Sequence, residues 1–160
     1  MLTKNKKVFV LTYMDIKSTL QSDLKDAMRA GDVTRKNTLR MAISAIKLAE
    51  VEKNAHMDES SYLGILQKEI KSRREAIADA ERAKRPELIA EAEAEIKILE
   101  SYLPKAFTQD ELENLVKAVI AEVGATSVRE MGQVMKILMP RLQGRATGDQ
   151  ASQVVRKLLQ

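Results

Sequence analysis

The chain has 160 residues, 44% of them hydrophobic, 31% charged and 3% aromatic, with no Cys or Trp and only six Gly and three Pro. Such a chain is long enough for one globular domain or two small ones, is too apolar for wholesale disorder, and has few residues for the turns of an all-β fold. Lack of Cys excludes disulfide frameworks, thiolate zinc sites and cysteine nucleophiles, and fits a reducing cytosol.

Residues 1–13 carry Lys4, Lys6 and Lys7 and no acid, so they hold three of the four net positive charges. From Met14 onward 24 basic residues face 23 acidic ones, which excludes a polybasic nucleic-acid binder. The apolar stretch Val8 to Leu11 is too short for a signal peptide, and no small-residue cleavage site follows. Residues 1–13 are expected to be a disordered leader, of the kind a start codon placed too early produces. No apolar run reaches the ~20 residues that span a bilayer, so no membrane association is expected.

Beyond the leader the apolar spacing is helical. Ile16, Leu20, Leu24 and Met28 recur every four residues, and Gly31 supplies the left-handed stop. Asp32 caps a second helix carrying Leu39, Ala42, Ile43, Ile46 and Ala49, which frays near 54–57. Asp58 opens a third with Leu63, Leu66, Ile70, Ile77 and Ala80, Arg73 lying in the same stripe. Pro86 suits the first turn of a fourth, running through Leu88, Ala92, Ile96 and Leu99 until Leu103-Pro104 stops it.

After Pro104 the pattern resets. Thr108 with Glu111, and Ser127 with Glu130, read as capping boxes opening two helices. Gly124 ends the first, and Pro140 kinks or ends the second. Gly144 and Gly148 bracket a loop, and Asp149 caps a closing helix with Val154, Val155, Leu158 and Leu159. The expected fold is all-α: an N-terminal helical bundle of about four helices over 14–103 and a three-helix tail over 104–160.

Chemistry is sparse. His56 is the only histidine, at a helix end without evident triad or zinc partners. Glu91, Glu93, Glu95 and Glu100 spread over a helix as a solvated acidic face, with Glu93 set to pair with Lys97. No phosphate-binding glycine pattern of the P-loop type is present. No catalytic residue, metal site or cofactor is assigned. Arg73 is placed to bury its stem and seek a carboxylate or phosphate, and with Arg74 it makes a second candidate basic site. In the last third, Arg141 and Arg145 flank Gly144, while Arg156 and Lys157 lie near the chain's end. Glycine lets a backbone approach a phosphate and arginine offers it a planar fork; solvated arginines beside a helix-ending glycine are the plainer alternative.

The segments Leu24-Lys-Asp-Ala-Met-Arg-Ala-Gly-Asp32, Thr38-Leu-Arg-Met41, Lys68-Glu-Ile-Lys71, Arg73-Arg-Glu75 and Leu99-Glu-Ser-Tyr-Leu-Pro104 together resemble the bacterial YqeY family. The last third, with Gly124-Ala-Thr-Ser127, Met131-Gly-Gln-Val-Met-Lys136 and Gly144-Arg-Ala146, is similar to the tail domain of the B subunit of the glutamyl-tRNA(Gln)/aspartyl-tRNA(Asn) amidotransferase. The resemblance implies a cytoplasmic protein that binds tRNA or a tRNA-modifying complex through its tail. It adds Gly132 and Lys136 to Arg141, Gly144, Arg145, Arg156 and Lys157 as RNA-binding candidates. It supplies no counterpart of the amidotransferase's catalytic domain, so any carbon-nitrogen ligase activity would come by association. The alternatives are an adaptor docking a helical protein through Met131, Met135 and Met139, and an accessory to a tRNA-dependent amidotransferase.

Overall fold

A computed structural model describes residues 15–160, and the expectation of a disordered leader over 1–13 lies outside them. The described residues form α1 (Ile16–Ala30), α2 (Val33–Lys53), α3 (Glu59–Arg82), α4 (Pro86–Glu100), α5 (Gln109–Val123), a 3-10 turn (Val128–Glu130), α6 (Met131–Leu142) and α7 (Gly148–Leu159). They contain no strand, and the fold is all-α. The chain divides into two compact units, one ending at Tyr102 and the other spanning Leu103–Gln160. No helix among the described residues is long and apolar enough to cross a membrane.

In the first unit the helix ends follow from local chemistry. Asp15, Asp32 and Asp58 precede α1, α2 and α3 in extended backbone, and each carboxylate accepts from the amide three residues on. That satisfies an orphan donor and sets negative charge against the positive end of the helix. Gly31 ends α1 at φ +68°, and Asn54 ends α2 at φ +50°, a conformation asparagine tolerates better than most side chains. Pro86 sits in the first turn of α4, where its missing N–H is no loss. α4 stops at Glu100, three residues ahead of Leu103; Ser101 Oγ donates to the Ile98 carbonyl at 2.6 Å and takes up one of the helix's last acceptors.

α1 packs along α2 and α3 along α4, with α2 also touching α3 and α4. Leu20, Leu39, Ile46, Leu66 and Leu99 are wholly buried between them. The buried stripe of α3 is Tyr62, Leu66, Ile70, Arg73 and Ala80, while the expected Leu63 and Ile77 are only half-buried. Tyr62 displaces Leu63 because its ring fills the core while its hydroxyl donates to Glu50 at 2.6 Å.

In the second unit Leu112, Val116, Val119, Val134, Leu138, Val154 and Val155 form the core, one face from each of α5, α6 and α7. Thr108 and Glu111 make the expected reciprocal box: Thr108 N donates to Glu111 at 2.8 Å and Glu111 N to Thr108 at 3.2 Å. Glu130 accepts from the amides of Thr126 and Ser127 at 2.7 and 3.1 Å. The chain makes a 3-10 turn there before α6 begins at Met131. α6 runs through Pro140 to Leu142; the proline stands in the last turn, so the one backbone bond it forgoes leaves only two helical residues beyond it to be held. α7 is capped by Thr147 and not by Asp149: Thr147 and Gln150 form a third box that includes Gly148 in the helix.

Candidate nucleic-acid interface

The candidate residues of the second unit fall into two groups, separated by what their charges already meet. The first gathers where α6 ends. Gln143 and Gly144 take left-handed backbone in succession, at φ +49° and +75°, and turn the chain back. Arg145 then exchanges backbone bonds on both sides: its N–H donates to the Leu142 carbonyl at 2.8 Å, and its carbonyl accepts from Phe107 N at 2.9 Å. Its guanidinium lies 3.8 Å above the centre of the Phe107 ring, with Nε donating to the Lys105 carbonyl at 2.9 Å. Glu111 completes the set at 3.4 Å. Arg145 is thus a brace between the α6–α7 turn and the segment entering α5.

The neighbouring cations are similarly committed. Arg141 makes a two-pronged pair with Glu122, at 2.7 and 2.9 Å, which holds that carboxyl below its ordinary range. Lys157 reaches Glu113 at 3.0 Å. A shallow cleft of about 370 Å³ borders the brace, lined by Phe107, Gln109, Arg145, Gln150, Gln153 and Lys157 among others. Both of its cations already hold carboxylates, so it offers an anion little net charge.

The second group is uncompensated. Gly132 and Lys136 are exposed one turn apart on α6, Arg156 is exposed on α7, and none of these cations has a carboxylate partner among the described residues. Arg129, in the 3-10 turn, is exposed and unpaired in the same way, although nothing in its spacing marked it. Topology brings the group together. Gly148 abuts Met139, close enough that a Cβ there would lie 3.4 Å from the thioether, so α7 begins beside the last turns of α6. It then runs back along α6 to contact the 3-10 turn, placing Arg156, near its C-terminus, toward the end of the hairpin that carries Arg129 and Gly132, with Lys136 midway along α6. Charge therefore moves the candidate site away from Gly144, along the hairpin toward its other end.

The second basic site suggested by Arg73 and Arg74 does not present free charge. Arg73 is buried, with Nε on Glu95 at 2.5 Å and a terminal nitrogen on Glu69 at 2.8 Å. Burial opposes its charge, but the two carboxylates raise its pKa on balance. Arg74 pairs with Glu100 at 3.0 Å. Glu95 thus leaves the solvated acidic face expected for it, whereas Glu100 stays exposed while paired with Arg74; Glu93 is exposed too, without an ion pair to Lys97 among the described residues.

Two further polar clusters tie helix ends in the first unit. Glu50 accepts from Lys17 at 2.7 Å and Tyr62 at 2.6 Å, with His56 at 3.5 Å from it. The Lys17 bond, followed by that from Tyr62, holds Glu50 below its ordinary range, and the same carboxylate pushes the Tyr62 phenol up to about 12. Asp23 accepts from Tyr102 at 2.5 Å and pairs with Arg35 at 3.1 Å; burial and then Asp23 push the Tyr102 phenol up. Both phenols stay protonated donors, so the clusters lock geometry. Among the described residues no group of three or more His, Asp or Glu is placed to hold a metal ion.

Fungal proteins are among the chain's curated relatives. The protein named "Altered inheritance of mitochondria protein 41, mitochondrial" of Kluyveromyces lactis is 36% identical over 115 residues, covering 69% of this chain and 62% of its own length. Proteins of the same name from Pyrenophora tritici-repentis and Vanderwaltozyma polyspora are 31% and 38% identical, over 79% and 52% of this chain and 71% and 46% of theirs. The chain thus spans less than two thirds of the first and third of these relatives. They overturn the cytoplasmic, bacterial reading of the sequence, since they are named as mitochondrial and come from fungi. The physical ground for that reading, an absence of Cys, separates reducing from oxidising compartments and does not distinguish one reducing compartment from another. The profile described as Yqey-like protein matches residues 17–159, nearly the whole of the described chain, and the protein belongs to the YqeY family.

Proposed function

We propose that this protein is a non-catalytic helical binding protein whose C-terminal unit engages tRNA, or a complex that handles tRNA, through phosphate contacts. The observation that carries the reading is that Arg129, Lys136 and Arg156, on the 3-10 turn and the α6–α7 hairpin, are exposed without carboxylate partners among the described residues. Gly132 leaves open surface beside Lys136, with nothing within 4 Å of where its Cβ would be. Cations without internal partners release counterions when they meet phosphate, which is the main source of sequence-independent affinity for nucleic acid. The single aromatic residue of the C-terminal unit, Phe107, lies at the Arg145 brace and is covered by that guanidinium, so contacts to backbone and shape are the mode supported. The choice of tRNA as the nucleic acid rests on the resemblance read in the sequence between this unit's motifs and the tail domain of the tRNA amidotransferase B subunit. The names of the fungal relatives support a mitochondrial setting.

The adaptor reading through a methionine row has less support. Met131 and Met135 pack against the core, and only Met139 stands out at 46% exposure, beside Gly148. The accessory role in tRNA-dependent amidation rests on the resemblance of the tail alone. Filter binding of the full chain to total tRNA at low salt tests the main reading. Arg129→Ala/Lys136→Ala/Arg156→Ala is expected to weaken binding at least tenfold, and Arg141→Ala/Arg145→Ala by less than threefold. The reverse order, or no binding by the wild type, would refute it.

A further inference from the structure

The first unit carries a surface that the RNA reading does not use. On α2, Val33, Met41, Leu48 and Val51 are 59%, 56%, 59% and 75% exposed, half of the large exposed apolar side chains among the described residues. Met41 and Leu48 lie opposite the buried face made by Leu39, Ala42, Ile43 and Ile46, with Val33 and Val51 to one side of them; the Met41 sulfur also accepts from Arg73 of α3 at 3.9 Å. Met41, Ser44, Leu48 and Val51 follow steps of three, four and three, the spacing of a coiled-coil seam. The positions immediately before Met41 and Leu48 are Arg40 and Lys47, which flank that seam on one side. Neither has a carboxylate partner among the described residues; Arg40 touches only the Met28 sulfur, at 4.0 Å. Lys36, one turn before Arg40, continues the same row.

We propose that this face of α2 docks an amphipathic helix of another protein, one whose apolar seam is flanked by carboxylates. Ser44, polar and small within the seam, lets a helix backbone come close and interrupts the continuous apolar face that insertion into a lipid surface requires. The unpaired row of Arg40 and Lys47 selects acidic flanks, because flanking charges set the choice of partner in helix pairs. A second copy fits less well: an antiparallel pairing sets the basic row against itself, and a parallel pairing offers Lys47 the exposed Glu52 but Arg40 only Ala45.

Two synthetic helical peptides with identical leucine seams, one flanked by Glu and one by Lys, test the proposal by fluorescence anisotropy against the full chain. The acidic peptide is expected to bind at least tenfold more tightly, with amide shifts on titration confined to α2 around Met41, Leu48 and Val51. Leu48→Glu, at an exposed site, is expected to abolish binding while leaving the helical circular dichroism intact. Arg40→Glu/Lys47→Glu is expected to reverse the preference between the peptides. Equal binding of both peptides, no binding at millimolar concentration, or shifts mapping elsewhere would overturn it. So would self-association that Leu48→Glu abolishes, or binding to anionic phosphatidylserine vesicles that survives competition by the acidic peptide.

Discussion

Arginine does opposite jobs in this protein according to what surrounds it. Arg73 sits in the core stripe of α3 and is neutralised by Glu69 and Glu95. Removing one member of a buried ionic triad leaves charges stranded, at a cost of about 3 kcal/mol, whereas removing all of them is close to neutral. Arg73→Met is therefore expected to destabilise the protein by about that amount in chemical denaturation, and Arg73→Met/Glu69→Gln/Glu95→Gln to recover most of the loss. Arg145 is a surface brace: Arg145→Ala, which loses the Phe107 stack and the bond to the Lys105 carbonyl, is expected to cost about 1 kcal/mol. The sequence marked both residues as notable without showing why. Spacing put Arg73 in an apolar stripe, but its acids are on α4 as well as α3. Nothing local announced that Glu122 would meet Arg141, or Glu113 Lys157, because those pairs join different helices.

At the scale of elements the caps dominate, and caps are local, which is why the helices were legible. Gly31, Asp32, Asp58, Pro86, Thr108 and Gly124 each act in the structure where their side chains or backbone freedom suggested. The misreadings came where two local signals competed. Thr147 with Gln150 outranks Asp149 because a reciprocal box satisfies two amides, and Thr147→Ala is expected to cost about 1 kcal/mol, seen as a lower thermal midpoint. The C-terminal unit also contains carboxylates held below their ordinary 4.5. Glu111 and Glu130 are lowered first by backbone amides, Glu113 by Gln109 and then Lys157, and Glu122 by Arg141. A depressed native pKa means the unfolded chain binds more protons between that value and 4.5. The stability these groups contribute is full above pH 4.5 and lost as pH falls through the native values. Thermal melts between pH 3 and 6 are expected to fall steeply on the acid side, and less steeply for Glu130→Gln; a profile flat down to pH 3 would contradict this.

Across the whole molecule, charge carries the functional argument. Total basicity said little, since the portion from Met14 onward is nearly neutral; what matters is which cations the fold leaves without partners. In the C-terminal unit these include Arg129, Lys136 and Arg156, whereas Arg141, Arg145 and Lys157 are committed to carboxylates. The family and its helical class were readable from separated motifs. Which candidate cations the fold leaves without carboxylates was not readable, because pairing is a property of tertiary contacts.

The most direct test of the central claim is the salt dependence of tRNA binding by the full chain, measured by anisotropy between 50 and 300 mM KCl. If three unpaired cations contact phosphates, Arg129→Ala/Lys136→Ala/Arg156→Ala should reduce the slope of log affinity against log salt by about 2–3. Arg141→Ala/Arg145→Ala should leave that slope unchanged. Equal slopes for the wild type and the first variant would contradict the account.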